Sequence, residues 1–219
     1  MDDITRRTLF GAGAVGAGLG LAGLSGLMAP RAAAADISVG PLPMPFGADA
    51  AGPNRLLVPV FHQVAWIVDD IEAAEQYFLH KVGTTPFVRM RNVRAEDTNG
   101  TYLGQPGQWS ADLYNGFHGD LNVELIRPLS GESIYSTWLR DRGPSIQHVA
   151  YLSSDLAGDR DNMVANGFPM VQSFCLPSAQ LPLMTINYFD TTKLLGHITE
   201  LIGLDPNGGA EFLYKAKQL

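Results

Sequence analysis

His148-Val149-Ala150-Tyr151-Leu152-Ser153-Ser154-Asp155-Leu156-Ala157 reads as an apolar strand that runs into an aspartate and then a helix start. Gln63-Val64-Ala65-Trp66-Ile67-Val68-Asp69-Asp70-Ile71-Glu72-Ala73-Ala74 repeats that pattern. The spacing from Gln63 to Asp70 equals that from His148 to Asp155, seven residues in each case. Asp70 and Asp155 suit helix N-caps, because a short carboxylate accepts from the free amides of the first turn. Each helix should stop at a glycine, Val82-Gly83 in the first copy and Asn166-Gly167 in the second.

Short β-rich runs follow both helices. The first copy has Phe87–Val93 and Leu121–Arg127, with a turn signal at Asn99-Gly100. The second has Met170–Phe174, Met184–Asp190 and Ile198–Ile202. A β-α-β-β-β unit used twice fits this order and makes the chain α+β. Module one spans residues 60–130 and module two 145–203, with a bridging helix over 133–142. Together they form one domain over 60–205, followed by a tail over 206–219.

Upstream, Thr5-Arg6-Arg7-Thr8-Leu9-Phe10 precedes an uncharged apolar run from Gly11 to Pro30 and then Ala32-Ala33-Ala34-Ala35. A charged start, a weak apolar stretch and a small-residue cleavage site are the parts of an export signal, and the paired arginines resemble the twin-arginine type. Seven of the sixteen residues from Gly11 to Gly26 are glycine, which argues against a membrane anchor. The expectation is a signal over 1–35, an exported product free of the membrane, and an arm or linker over 36–59.

Composition narrows the partners. Of 219 residues, 46% are hydrophobic and 17% charged, enough apolar content for a packed core. The net charge of −7 argues against nucleic acid and anionic membranes, leaving a small molecule as the expected partner. A single cysteine, Cys175, excludes an intrachain disulfide framework and a thiolate zinc cluster.

With the repeat in place, Asn122-Val123-Glu124-Leu125-Ile126-Arg127-Pro128-Leu129, Ser133-Ile134-Tyr135, Ile146-Gln147-His148-Val149-Ala150-Tyr151, Asn187-Tyr188-Phe189-Asp190 and Ile198-Thr199-Glu200-Leu201 resemble the vicinal oxygen chelate superfamily. That group includes glyoxalase I, methylmalonyl-CoA epimerase, extradiol dioxygenases and bleomycin-resistance proteins. The resemblance is nearest to its epimerase and glyoxalase branch and covers about residues 60 to 203.

The resemblance implies two sheets curled into a half-open barrel around one divalent metal, held by the first and last strands of each module. Carried over, the ligands are Glu124, His148 and Glu200, with Gln63 or His62 as the fourth. Carboxylate and imidazole suit zinc, nickel, cobalt, manganese or iron(II). Register favours Gln63, which aligns with His148. Neighbours on a strand point to opposite faces, so His62 ligates only if the register slips by one. His62, His148 and Glu200 would then form the two-histidine, one-carboxylate set of iron(II) dioxygenases.

Within the family a metal polarises a substrate carbonyl while the last-strand glutamate, here Glu200, moves the neighbouring proton through an enolate. The implied function is an exported metal-dependent isomerase, epimerase or lyase. The alternatives are a sequestering protein of the bleomycin-resistance type and an extradiol-type dioxygenase. The epimerase of the family adds a glutamate from the third strand of module one. The matching stretch here, about Gly107–Tyr114, holds Asp112, a candidate pocket residue, and no glutamate. His118, in the turn-rich Asn115-Gly116-Phe117-His118-Gly119-Asp120, is a candidate substrate contact, and Tyr151 and Tyr188 are candidate pocket aromatics. Both modules lie in one chain, so a complete site can form in a monomer or in a homodimer.

Overall fold

The structure is a computed structural model that describes residues 60–219. The twin-arginine-type signal, its cleavage near Ala35 and the arm over 36–59 lie outside the described residues.

Strand β1 (Val60–Ile67) leads into helix α1 (Ile71–Tyr77), which widens into a π turn at Phe78–Val82 before β2 (Val88–Arg94). A 3-10 turn at Ala95–Asp97 precedes the short strands β3 (Thr101–Tyr102) and β4 (Gln105–Pro106). The long hairpin β5 (Ser110–His118) and β6 (Leu121–Ser130) completes the first half. Helix α2 (Ile134–Arg142) crosses to β7 (Ser145–Ser153), α3 (Leu156–Ala165), β8 (Met170–Ser178) and β9 (Leu181–Phe189). Then come α4 (Thr192–Leu195), β10 (Ile198–Leu204), α5 (Gly209–Leu213) and a 3-10 turn at Tyr214–Gln218.

The helix boundaries follow the capping chemistry. Asp70 accepts from the Ala73 amide at 2.9 Å, and Asp155 from the Gly158 amide at 3.0 Å. Ser133 and Ser136 cap α2 reciprocally. Gly83 (φ 84°) and Gly167 (φ 86°) take the left-handed turn that ends each repeat helix, a conformation in which a Cβ would be strained.

All ten strands join one sheet, in the order β2-β5-β6-β1-β7-β10-β9-β8-β3-β4. The two first strands run antiparallel with Val64 opposite Val149, and each pairs in parallel with the last strand of its own module. The modules are thus related by a pseudo-twofold about the β1–β7 seam. The sheet curls into an open half-barrel, as the resemblance implied.

Strand alternation sorts the side chains into layers. Leu113, Ile126, Ala150, Ile186, Tyr188 and Ile202 fill the concave side, over which α2 lays Ile134, Tyr135 and Trp138. On the convex side α1 covers Tyr114, Val123 and Leu125, and α3 covers Phe189 and Leu201.

Two features depart from a plain doubled unit. Module one carries the extra hairpin β3–β4, turned by Leu103 (φ 49°) and Gly104 (φ 77°), and β3 pairs with β8 of module two. The Asn99-Gly100 signal marks the approach to that hairpin rather than its turn. Residues 206–219, expected as a tail, instead hold α5 and the 3-10 turn, which bury Leu213 and Ala216.

Candidate metal centre

The centre lies on the concave side, where inward positions of β1, β6, β7 and β10 meet. Glu124 sits between Val123 and Leu125, which face α1, so its own side chain must point inward. Glu200 is placed in the same way by Leu201, and His148 by the inward Ala150 two residues on. All three are buried. One ligand-type atom from each lies within 4.8 Å of the others.

His148 Nε2 stands 2.9 Å from Glu200 Oε2 and 3.3 Å from Glu124 Oε2. Beyond these mutual approaches, none of the three atoms has a well-formed hydrogen bond to any of the described residues, although all are buried. Gln63 Oε1 is buried and unpaired in the same way, and Gln63 lines the same chamber. Native interiors leave few such atoms. Four at one place, two carboxylate oxygens, an amide oxygen and an imidazole nitrogen, match the donors of a divalent transition metal. The residues present fit the ion.

The surroundings orient these donors. The Gln147 amide donates to the Ile134 carbonyl at 2.8 Å, and its oxygen lies 2.9 Å from His148 Nδ1. That oxygen can only accept, so in the neutral ring the proton belongs on Nδ1 and the Nε2 lone pair faces the chamber. Asn115 donates to Glu124 Oε1 at 3.1 Å and accepts from Gln63 at 3.5 Å. Tyr188 lies edge-on to His148 with ring centres 5.1 Å apart, and its hydroxyl accepts from Tyr135 at 2.9 Å.

Electrostatics bear the same stamp. Burial lowers the His148 pKa, but the Glu200 and Glu124 carboxylates outweigh it and hold the imidazole at about 9. Burial raises Glu200, against the pull of His148. Burial also pushes the Tyr135 and Tyr188 hydroxyls well up.

Met90, Leu176, Met184 and Ile186 wall the chamber, and Phe212, Leu213 and Ala216 of the C-terminal segment complete the wall. The enclosed space is about 30 Å³. That is room for water-sized occupants beside the donors.

The structure brings together Gln63, Glu124, His148 and Glu200, with Tyr188 beside them. His62 is not on the chamber wall. It packs against Phe117 and Tyr214, and burial, helped by Lys217, lowers its pKa to about 4. Three expected pocket residues lie elsewhere. Asp112 is on the convex face of β5, bonded to Arg127 at 2.7 Å and to the Asn92 amide at 2.8 Å, because strand alternation gives the inward positions to Leu113 and Asn115. His118 ends β5 and is exposed, since the strand runs four residues into the stretch read as turn-rich and the turn falls at Gly119-Asp120. Tyr151 faces α3 and stands edge-on to Phe61.

Asn115, Gln147 and the C-terminal Phe212 and Leu213 were not singled out from the sequence. Gln147 had a signal in its place beside His148. Asn115 emerges only from the β5–β6 register, which sets it opposite Glu124.

Solved structures share this architecture. Methylmalonyl-CoA epimerase from Mycobacterium tuberculosis superposes with a TM-score of 0.51 at 20% identity, covering 71% of this chain and 93% of its own. A hypothetical protein from Bacillus halodurans gives 0.51 at 15% identity, covering 68% and 96%. A Streptomyces coelicolor methylmalonyl-CoA epimerase variant in complex with 2-nitronate-propionyl-CoA gives 0.50 at 15% identity, covering 67% and 95%. At such identities the likeness is one of fold. No curated protein matches the chain. The sequence model of the Glyoxalase/Bleomycin resistance protein/Dioxygenase superfamily matches residues 62–178, more than half of the chain. With the doubled module and the concave donor cluster, that match places the chain in the Glyoxalase/Bleomycin resistance protein/Dioxygenase superfamily, to which it belongs.

Proposed function

We propose that the protein is a metal-dependent enzyme that moves a proton at a carbon next to a carbonyl, on a small-molecule substrate met after export through the twin-arginine-type signal. The observation that carries this reading is the convergence of four buried, unpaired donor atoms in an apolar chamber. Gln63, Glu124, His148 and Glu200 would hold the ion, whether zinc, nickel, cobalt, manganese or iron(II). Once bound, the ion would supply polarisation of a carbonyl oxygen.

The chain's own residues do the rest. Gln147 keeps the His148 proton on Nδ1, away from the chamber. Glu200 is the proton-transfer group. Burial raises its pKa, which brings the carboxylate nearer to the range where it both accepts and returns a proton. Met90, Leu176 and Ile186 exclude water, so charge that develops on a substrate is met by fixed protein groups.

Among the described residues that line this chamber, Glu124 and Glu200 are the only carboxylates, and Asp112 lies on the far face. Inversion at carbon needs a base on each side. With Glu200 as the one proton-transferring carboxylate, proton transfer on a single face suits an isomerase or lyase better than an epimerase.

The test is solvent exchange. The metal-loaded protein in D2O is mixed with α-hydroxy ketones, vicinal diones and acyl thioesters, and C–H signals are followed by NMR. The expected result is exchange at one carbon, lost in Glu200→Gln. Tight binding with no exchange would instead favour a sequestering protein.

A further inference from the structure

We infer that Asn115 is a positioning residue that turns both the Gln63 amide and the Glu124 carboxylate toward the ion; this rests on the metal-enzyme reading above. Asn115 on β5 lies directly opposite Glu124 on β6, and Gln63 stands one strand further, on β1. The three side chains share the concave wall.

The order of donors and acceptors follows from their chemistry. An ionised carboxylate only accepts, so the group facing Glu124 Oε1 at 3.1 Å must be the Asn115 NH2. That sets the Asn115 carbonyl oxygen toward Gln63. It accepts the Gln63 NH2 at 3.5 Å. Gln63 is then left with one orientation, Oε1 inward, where it is buried and unpaired. The reversed amide would aim its NH2 at a cation. Glu124 is treated alike: Oε1 is engaged by Asn115, and Oε2 remains free beside His148 and Glu200. One asparagine therefore fixes two ligands of module one, as Gln147 fixes His148 in module two.

An asparagine that only fills space would affect folding and leave the ion alone. Cobalt(II) and zinc titrations of the full chain separate the two. The wild type, Asn115→Leu, Gln63→Ala and the double variant are compared by competition with a chromophoric chelator, by the visible spectrum of bound cobalt(II), and by the melting temperature without metal. The expected result is zinc binding about 10- to 100-fold weaker in Asn115→Leu, with an altered cobalt(II) spectrum. In the Gln63→Ala background the same change should cost several-fold less, because half of its task is gone. If Asn115→Leu does not fold, the smaller Asn115→Ser is judged by the same criteria. Zinc affinity within twofold of wild type, an unchanged spectrum, or an equal cost with and without Gln63 would overturn the role of Asn115 while leaving the metal site standing. A wild type that takes up neither ion would overturn both.

Discussion

Gln147 and His148 are neighbours in sequence and partners in the fold: the Gln147 side-chain oxygen meets His148 Nδ1 at 2.9 Å. The other end of the amide is pinned to the Ile134 carbonyl at the start of α2. The bridging helix thus dictates which nitrogen of the histidine faces the chamber. Gln147→Leu preserves volume and removes this control. It should weaken metal binding about 10- to 100-fold, as loss of a partner behind a ligand usually does. Zinc competition titration measures it.

Proton and metal compete for His148. Its pKa stands at about 9 in the folded protein against an ordinary 6.5. The folded state therefore holds the proton more tightly than the unfolded one. In the metal-free protein this stabilisation is complete below pH 6.5 and disappears as pH rises through about 9. The melting temperature of the metal-free protein should fall across that window, and His148→Asn should flatten the fall. Metal affinity should move the other way, rising about tenfold per pH unit until the imidazole is neutral. Melting curves and zinc titrations at half-unit pH steps report both.

Asp112 lies behind the sheet, so its loss should be felt in stability and not at the metal. Asp112→Ala leaves the Asn92 amide without its acceptor and Arg127 with Glu72 alone. It should cost about 1–3 kcal/mol, with zinc affinity unchanged. Denaturant unfolding and metal titration of the same variant give the two numbers. Weaker metal binding without loss of stability would place Asp112 at the site after all.

The C-terminal segment closes the chamber, and its grip is modest. Lys217 bonds Asp120 at 2.7 Å on the exposed surface, while Phe212 and Leu213 reach the chamber wall. Phe212→Ala should open a path beside the donors. Extraction of bound metal by a chelator should accelerate by about tenfold, the factor that a barrier lower by 1.36 kcal/mol gives. Stopped-flow absorbance with a chromophoric chelator follows it.

The repeat was legible because its two copies share an apolar run, an N-cap aspartate and a terminal glycine at equal spacing. That spacing also aligned Gln63 with His148, and the carboxylates of Glu124 and Glu200 stood out within apolar strands. What alternation could not supply was phase. Asp112 belongs to a strand whose bounds were uncertain by a few residues, and one position decides which face a side chain takes. His118 was misplaced for the same reason, as the end of a strand written in turn-forming residues. The β3–β4 hairpin and the C-terminal cap are short and lack periodicity, and each is held by contacts with distant strands. Asn115 has no local signal: its role exists only through the residues across from it on β6 and β1.

Everything proposed for this protein depends on Gln63, Glu124, His148 and Glu200 holding one metal ion together. Elemental analysis of the full chain, purified without chelator, is the test, with Glu124→Ala alongside. The expected result is about one equivalent of a divalent transition metal, as one ion per donor cluster requires, and its loss in the variant. A wild-type protein that carries no metal, and takes up none when offered zinc, nickel, cobalt, manganese or iron(II), would contradict it.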